Sequence, residues 1–143
     1  MTVGPARDVT AMIRHSASAR RLLDGDVKHW HALIAQSLRH QPSVCVYTSD
    51  DVTPSTAVSW SMIQLDGSIG MGYTLPQYRG LGLAPIVVNL SAAAVLQSGA
   101  PFFGYVSRTN ELPRRLLDEH YRCLDGAMQF VHYDCGHVAT SRL

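Results

Sequence analysis

Tyr73-Thr74-Leu75-Pro76-Gln77-Tyr78-Arg79-Gly80-Leu81-Gly82-Leu83-Ala84-Pro85 is the stretch on which the fold turns. An apolar segment runs into a glycine loop, and a long apolar segment follows. Gly80 and Gly82 open backbone conformations closed to other residues and permit a close approach by a ligand. Pro85 stands where a first helical turn begins. The free amides of such a turn, with the positive end of a helix dipole behind them, face an anion such as a pyrophosphate. Arg79 adds a charged fork. The pattern alone is common, and glycine in a strand-to-helix turn often has a purely structural reason, so the flanks must decide.

Downstream, Ile86, Val87, Val88, Leu90 and residues 92–96 predict a helix over 83–98 that is apolar on nearly every side and therefore buried against a sheet. Gly99 caps it and Pro101 stops it. Residues 102–106 predict an aromatic-rich buried strand. Upstream, residues 56–65 alternate, with Val58, Trp60 and Met62 on one face and Ser59 and Ser61 on the other, the period of a half-buried strand. Asp66-Gly67 is a hairpin turn. The return strand through Ile69, Met71 and Tyr73 contains Gly70 and Gly72, and glycine inside a strand marks a bulge or a close approach. The loop is thus flanked by a strand and a helix.

The remaining elements complete an α+β pattern. Helices are expected over 6–23 and 27–39, the second with Val27, Trp30, Ile34 and Leu38 on one stripe that packs onto a sheet. Pro42 closes it. A short strand covers 43–48, a polar turn 49–55, a helix 111–121 and a last strand 127–133. The expected order is α-α-β-β-β-α-β-α-β in a single domain of residues 1–143, with an N-terminal helix within 1–24.

A chain of 143 residues, 46% hydrophobic and 16% charged, supports one core without disulfides or metal. A net charge of +1 with scattered arginines predicts no nucleic-acid partner. No apolar run approaches the ~20 residues of a membrane span. Cys45, Cys123 and Cys135 are odd in number and far apart, which favours a reducing, intracellular compartment. Arg7, Arg14, Arg20 and Arg21 against Asp8 share a pattern with mitochondrial transit peptides, so the compartment expected is cytoplasmic or mitochondrial. The blander explanation of those arginines is a first domain helix with a solvated basic face. No metal is expected: His29 and His31 face different ways on a helix, and His132, Cys135 and His137 lack a fourth ligand.

The element order, the loop Arg79-Gly80-Leu81-Gly82-Leu83-Ala84 and Asn110 after the next strand resemble the GCN5-related N-acetyltransferase fold, a mixed, mostly antiparallel sheet flanked by helices. More closely, residues 73–80, residues 99–106 and Thr109-Asn110-Glu111 are similar to the C-terminal domain of the glycine N-acyltransferase family. Pro42, Ser59-Trp60 and Asp66-Gly67 fit it too, and the similarity covers roughly 25–135. The resemblance implies transfer of an acyl group from acyl-coenzyme A to the amino group of glycine or a similar small amino acid. It implies that Leu75, Gln77, Arg79, Gly80, Leu81, Gly82, Leu83, Ala84 and Asn110 bind the donor, and that strand 69–75 splays from strand 102–106 to admit the pantetheine arm.

The sequence departs from the family where a base is needed. The family's glutamate ahead of the Thr-Leu-Pro segment falls on Ser68, the glutamate after the proline on Gln77, and the tyrosine many acetyltransferases keep on the helix after Asn110 falls on Leu117. The candidate catalytic set is Ser68, Asp66 and Tyr73. For Asp66 the favoured explanation is a residue that turns select for backbone reasons, and for Tyr73 a packing residue. A generic acetyltransferase of small amines or peptides, and an acyl-coenzyme A-binding domain without turnover, are the alternatives.

Overall fold

The computed structural model describes residues 1–7, 27–48 and 56–106. All lie in one compact unit, Met1–Ser107. The elements are β1 (Thr2–Gly4), α1 (Val27–His40), β2 (Ser43–Tyr47), β3 (Ala57–Ile63), β4 (Ile69–Thr74), a 3-10 turn (Pro76–Tyr78) and α2 (Leu83–Gln97). The strands form an antiparallel sheet in the order β1-β2-β3-β4. A parallel bridge from Ile69 to Gly104 on the outer side of β4 makes the sheet mixed, as expected of an α+β fold. The expectations for 8–24, 49–55 and 107–143, including Asn110 and the histidines near the end of the chain, fall outside the described residues.

The first residues form a strand ahead of the expected helix over 6–23, of which residues 8–23 lie outside the described residues. Thr2 pairs with Tyr47 and Gly4 with Cys45. Pro5 cannot sit inside a helix, but its carbonyl accepts the Tyr47 hydroxyl at 2.7 Å. The Ala6 amide donates to Ser43 Oγ at 3.1 Å, and its methyl is buried. These partners lie some forty residues away, so no local pattern announces them.

The sheet is covered on both faces. On one, Ile34 of α1 packs with Ala6, Cys45, Trp60 and Met62; on the other, Leu83 and Val87 of α2 pack with Val44, Val46 and Val58. Two expectations about β3 are corrected here. Val58 does not share a face with Trp60 and Met62. Val46 pairs with Ser59 but Tyr47 with Ala57, so Val58 is the extra residue of a β-bulge and turns toward α2. Nor is the serine face solvated, since Ser59 and Ser61 are fully buried. Ser61 Oγ donates to the Val87 carbonyl at 3.1 Å and lies 2.8 Å from Ser91 Oγ. Ser59 Oγ lies 2.8 Å from Thr74 Oγ1. Alternating polarity marks two faces, and buried hydroxyls that find partners satisfy it as well as exposed ones do.

α2 is less buried than its composition suggests. Leu83, Val87, Ser91, Ala92 and Val95 face the sheet, while Ile86, Leu90 and Leu96 are exposed. A helix laid on one sheet face loses only one side to that sheet. Its end follows expectation: Gly99 takes φ 79° and its amide donates to the Leu96 carbonyl. Residues 102–106 form no continuous strand. They make the single bridge at Gly104, with Ile69 N donating to the Phe103 carbonyl at 2.8 Å, and Phe103 and Tyr105 are exposed. The expected buried strand is corrected accordingly. The contact at the bridge is close, since a Cβ on Gly104 would lie 2.7 Å from Ile69 Cγ2.

Candidate active site

The site residues lie along the path from the β3–β4 turn, through β4, to the start of α2. The turn is closed by two bonds, Gly67 N to the Gln64 carbonyl at 2.9 Å and Gln64 N to the Ser68 carbonyl at 2.8 Å. Gly67 takes φ 85°, the left-handed position that a three-residue hairpin loop assigns to glycine. Asp66 Oδ1 accepts the Ser68 amide at 2.9 Å and the Ser68 hydroxyl at 2.7 Å, and Gln64 Nε2 donates to the same hydroxyl oxygen at 3.2 Å. Ser68 is fully buried, so its hydroxyl is held between a carboxylate acceptor and an amide donor. The turn therefore brings two of the candidate catalytic residues, Asp66 and Ser68, into direct contact.

β4 is interrupted midway. Trp60 pairs with Tyr73 but Met62 with Gly70, which places an extra residue on β4. Met71 adopts φ 55°, a left-handed conformation rare for a side chain of its size. Such a bulge leaves backbone groups out of the ladder and re-aims the strand, and strained backbone of this kind clusters at functional sites. Gly70 and Gly72 announced a bulge in the sequence; that Met71 takes the left-handed position was not legible there.

Beyond the bulge, Tyr73 packs on the buried Trp60, ring centroids 5.5 Å apart. The Arg79 guanidinium lies 5.4 Å over the Tyr73 ring, and its Nε donates to the Thr74 carbonyl at 3.1 Å. Tyr73 is thus tied to the loop, and about 15 Å of strand separates it from Ser68. The third candidate catalytic residue belongs to a different group from the other two.

The loop itself has both glycines left-handed, Gly80 at φ 76° and Gly82 at φ 72°. A Cβ at either position would meet no atom within 4 Å, so glycine is required there by conformation and leaves open space in front of the backbone. α2 starts at Leu83, with Gly82 as a cap that offers no side-chain hydrogen bond. Pro85 is its third residue rather than its first, and the Arg79 amide is taken by the Pro76 carbonyl at 3.2 Å. Helix geometry leaves the Leu83 and Ala84 amides without an intrahelical acceptor. Leu75 and Leu83 direct their side chains into the core, whereas Gln77 and Leu81 are exposed. Such a cradle of open amides, beside an arginine, fits a pyrophosphate.

A mixed sheet with a bulged fourth strand running into a glycine loop and helix is the frame of the GCN5-related N-acetyltransferases. The fold matches that of an aminoglycoside 6′-N-acetyltransferase from Acinetobacter haemolyticus with a TM-score of 0.62 at 14% identity, over 93% of this chain and 99% of that one. It matches AAC(6′)-Iy, solved with the bisubstrate analogue CoA-S-monomethyl-acetylneamine, with a TM-score of 0.60 at 12% identity, over 93% and 99%. Within this fold, residues 44–135 match the model of the aralkyl acyl-CoA:amino acid N-acyltransferase C-terminal region, and the chain belongs to that family. It is 29% identical over 97 residues to the glycine N-phenylacetyltransferase of Bos taurus, covering 62% of this chain and 32% of that protein. The chain spans about a third of the length of the curated relatives it matches. No helix among the described residues is long and apolar enough to cross a membrane.

Proposed function

We propose that this chain is an acyl-coenzyme A-dependent N-acyltransferase that acylates the amino group of glycine or a similar small amino acid. The observation that carries the proposal is the pair of left-handed glycines at the uncapped start of α2, placed at the end of a bulged strand. Family membership and the glycine-acylating names of the relatives support the acceptor class. Leu75, Gln77, Arg79, Gly80, Leu81, Gly82, Leu83, Ala84 and Asn110 are the proposed donor-binding set. The donor supplies a thioester carbonyl. The protein's part is to hold an amine against it, to offer a donor to the developing oxyanion and to accept the ammonium proton. Asp66, through the hydroxyl of Ser68, is the proposed proton acceptor, supported by their 2.7 Å contact. Tyr73 positions Arg79. The odd, scattered cysteines support an intracellular site, cytoplasmic or mitochondrial.

A second reading, a binding domain without turnover, is favoured by the Ser68 hydroxyl being fully engaged by Asp66 and Gln64. Titration calorimetry with acetyl- and benzoyl-coenzyme A tests donor binding: no heat at high micromolar concentrations, or binding untouched by Gly82→Asp, removes the assignment. Thioester cleavage followed with a thiol reagent separates turnover from binding, since amine-dependent release eliminates the second reading. Mass spectrometry of products from glycine, glutamine and peptides distinguishes an amino-acid acyltransferase from a generic acetyltransferase of small amines or peptides.

A further inference from the structure

The contact between Asp66 and Ser68 has a direction, and Gln64 imposes it. An ionised carboxylate only accepts, so the Ser68 hydroxyl at 2.7 Å directs its one proton to Asp66 Oδ1. The hydroxyl oxygen keeps its capacity to accept, and Gln64 Nε2 meets it at 3.2 Å. Were Gln64 the acceptor instead, that proton would turn away and Asp66 would keep only the Ser68 amide. Asp66 is exposed, and the two bonds on Oδ1 are what orient it. The Gln64 side chain is not needed to close the turn, since its backbone N–H and carbonyl already do so. The side chain has its own accommodation in the sequence. Gly70 has no positive φ to explain it, but a Cβ there would overlap the Gln64 amide, 2.8 Å from its Cδ. Glycine at 70 is thus the space in which Gln64 reaches across to Ser68. Gln64 and Asp66 both border a cavity of about 210 Å³ that Met71 of the bulge also lines, so the oriented carboxylate stands beside room for a bound group.

We propose that Gln64, in the space that Gly70 leaves for it, is a positioning residue for proton transfer: it holds the Ser68 hydroxyl as a donor to Asp66 and so fixes the carboxylate that takes the amine's proton. The inference rests on the proton-acceptor role given to Asp66 above. It is tested by thioester cleavage from benzoyl-coenzyme A with glycine, glutamine and peptides, by calorimetry with coenzyme A, and by unfolding in denaturant. The proteins compared are the wild type, Gln64→Met, Gly70→Ala and the double variant Gln64→Met/Ser68→Ala. Gln64→Met keeps the length of the side chain and removes its donor. Gly70→Ala keeps every polar group and displaces the amide, at little cost to the fold because its methyl meets the free end of a flexible side chain. Each is expected to lower kcat about tenfold or more, the scale of a misplaced reacting group. The KM for benzoyl-coenzyme A and the affinity for coenzyme A stay unchanged, which also shows that the variants are folded. The double variant removes both partners of the bond, so its unfolding midpoint recovers toward the wild type while kcat stays low. A kcat that recovers with stability, or one untouched in both Gln64→Met and Gly70→Ala, confines Gln64 to bracing the turn and overturns the proposal while the acyltransferase reading stands. A wild type that binds coenzyme A but releases no thiol with any of these amines removes the proton-acceptor role, and this inference with it. Failure of coenzyme A to bind removes the acyltransferase reading itself.

Discussion

The Arg79 guanidinium lies 5.4 Å from the centroid of the Tyr73 ring, so the first residue of the glycine loop rests on a side chain of the bulged strand. Trp60 supports that ring from the core. The loop is thereby referenced to the sheet through an aromatic stack and through the Arg79–Thr74 bond.

Tyr73→Leu is expected to weaken coenzyme A binding two- to fivefold, the equivalent of a cation–π contact of ~0.5–1 kcal/mol at an exposed arginine. Tyr73→Phe keeps the ring and keeps the affinity. If the Phe variant also keeps kcat, the hydroxyl takes no part in the chemistry; a large loss of kcat alone makes Tyr73 catalytic.

Gly82→Asp and Gly82→Asn place side chains of the same shape at a left-handed position that both tolerate better than most residues. The added atoms meet open space, so neither clashes with the protein. Asp is expected to weaken coenzyme A binding by about fivefold or more beyond Asn, because only Asp puts a negative charge where the helix dipole favours a phosphate. Equal losses in titration would mean that the loop binds no anion.

Ser68→Ala removes the hydroxyl shared by Asp66 and Gln64 and leaves the Gln64 amide without its acceptor. A loss of about 1–2 kcal/mol in denaturant unfolding is expected. In turnover assays kcat should fall with donor affinity unchanged; an unaltered kcat would restrict the Asp66–Ser68 pair to shaping the turn.

Gly104→Ala drives a methyl group against the Ile69 side chain and backbone at the parallel bridge. Overpacking of this kind is expected to destabilise the fold by about 1–3 kcal/mol. Thermal unfolding within error of the wild type would show that the bridge does not persist in solution.

Burial, with a smaller contribution from Cys45, pushes the Tyr47 hydroxyl up to about 12 from its ordinary value of 10.0. The folded state therefore holds this proton more tightly than the unfolded chain. The stability it contributes is complete below pH 10 and is lost as pH rises from there through about 12. Tyr47→Phe, which also releases the bond to the Pro5 carbonyl, should be less stable near neutrality and show a shallower loss between pH 10 and 12. Parallel pH profiles would refute the assignment.

By itself the sequence determined the parts whose signals are local. Gly80 and Gly82 at the start of α2, the hairpin at Asp66-Gly67, the stripe of Trp30, Ile34 and Leu38 on α1, and Gly99 at the end of α2 each combine a backbone requirement with a residue that meets it. The family was legible for the same reason, since its motifs are short and contiguous. Tertiary structure alone decided the rest. Thr2–Gly4 became a strand because β2 offered it an edge, and Val58 changed faces because a bulge shifted the register against Val46 and Tyr47. Ser61 and Ser91 were buried because each supplied a hydrogen-bond partner across the sheet–helix interface. Met71 was held at positive φ by the pairing of β4 with β3, and Gln64 was brought to the oxygen of Ser68 by the closure of the turn. Pairing, register and hydroxyl satisfaction depend on which segments meet, and local composition carries no record of a partner many residues away.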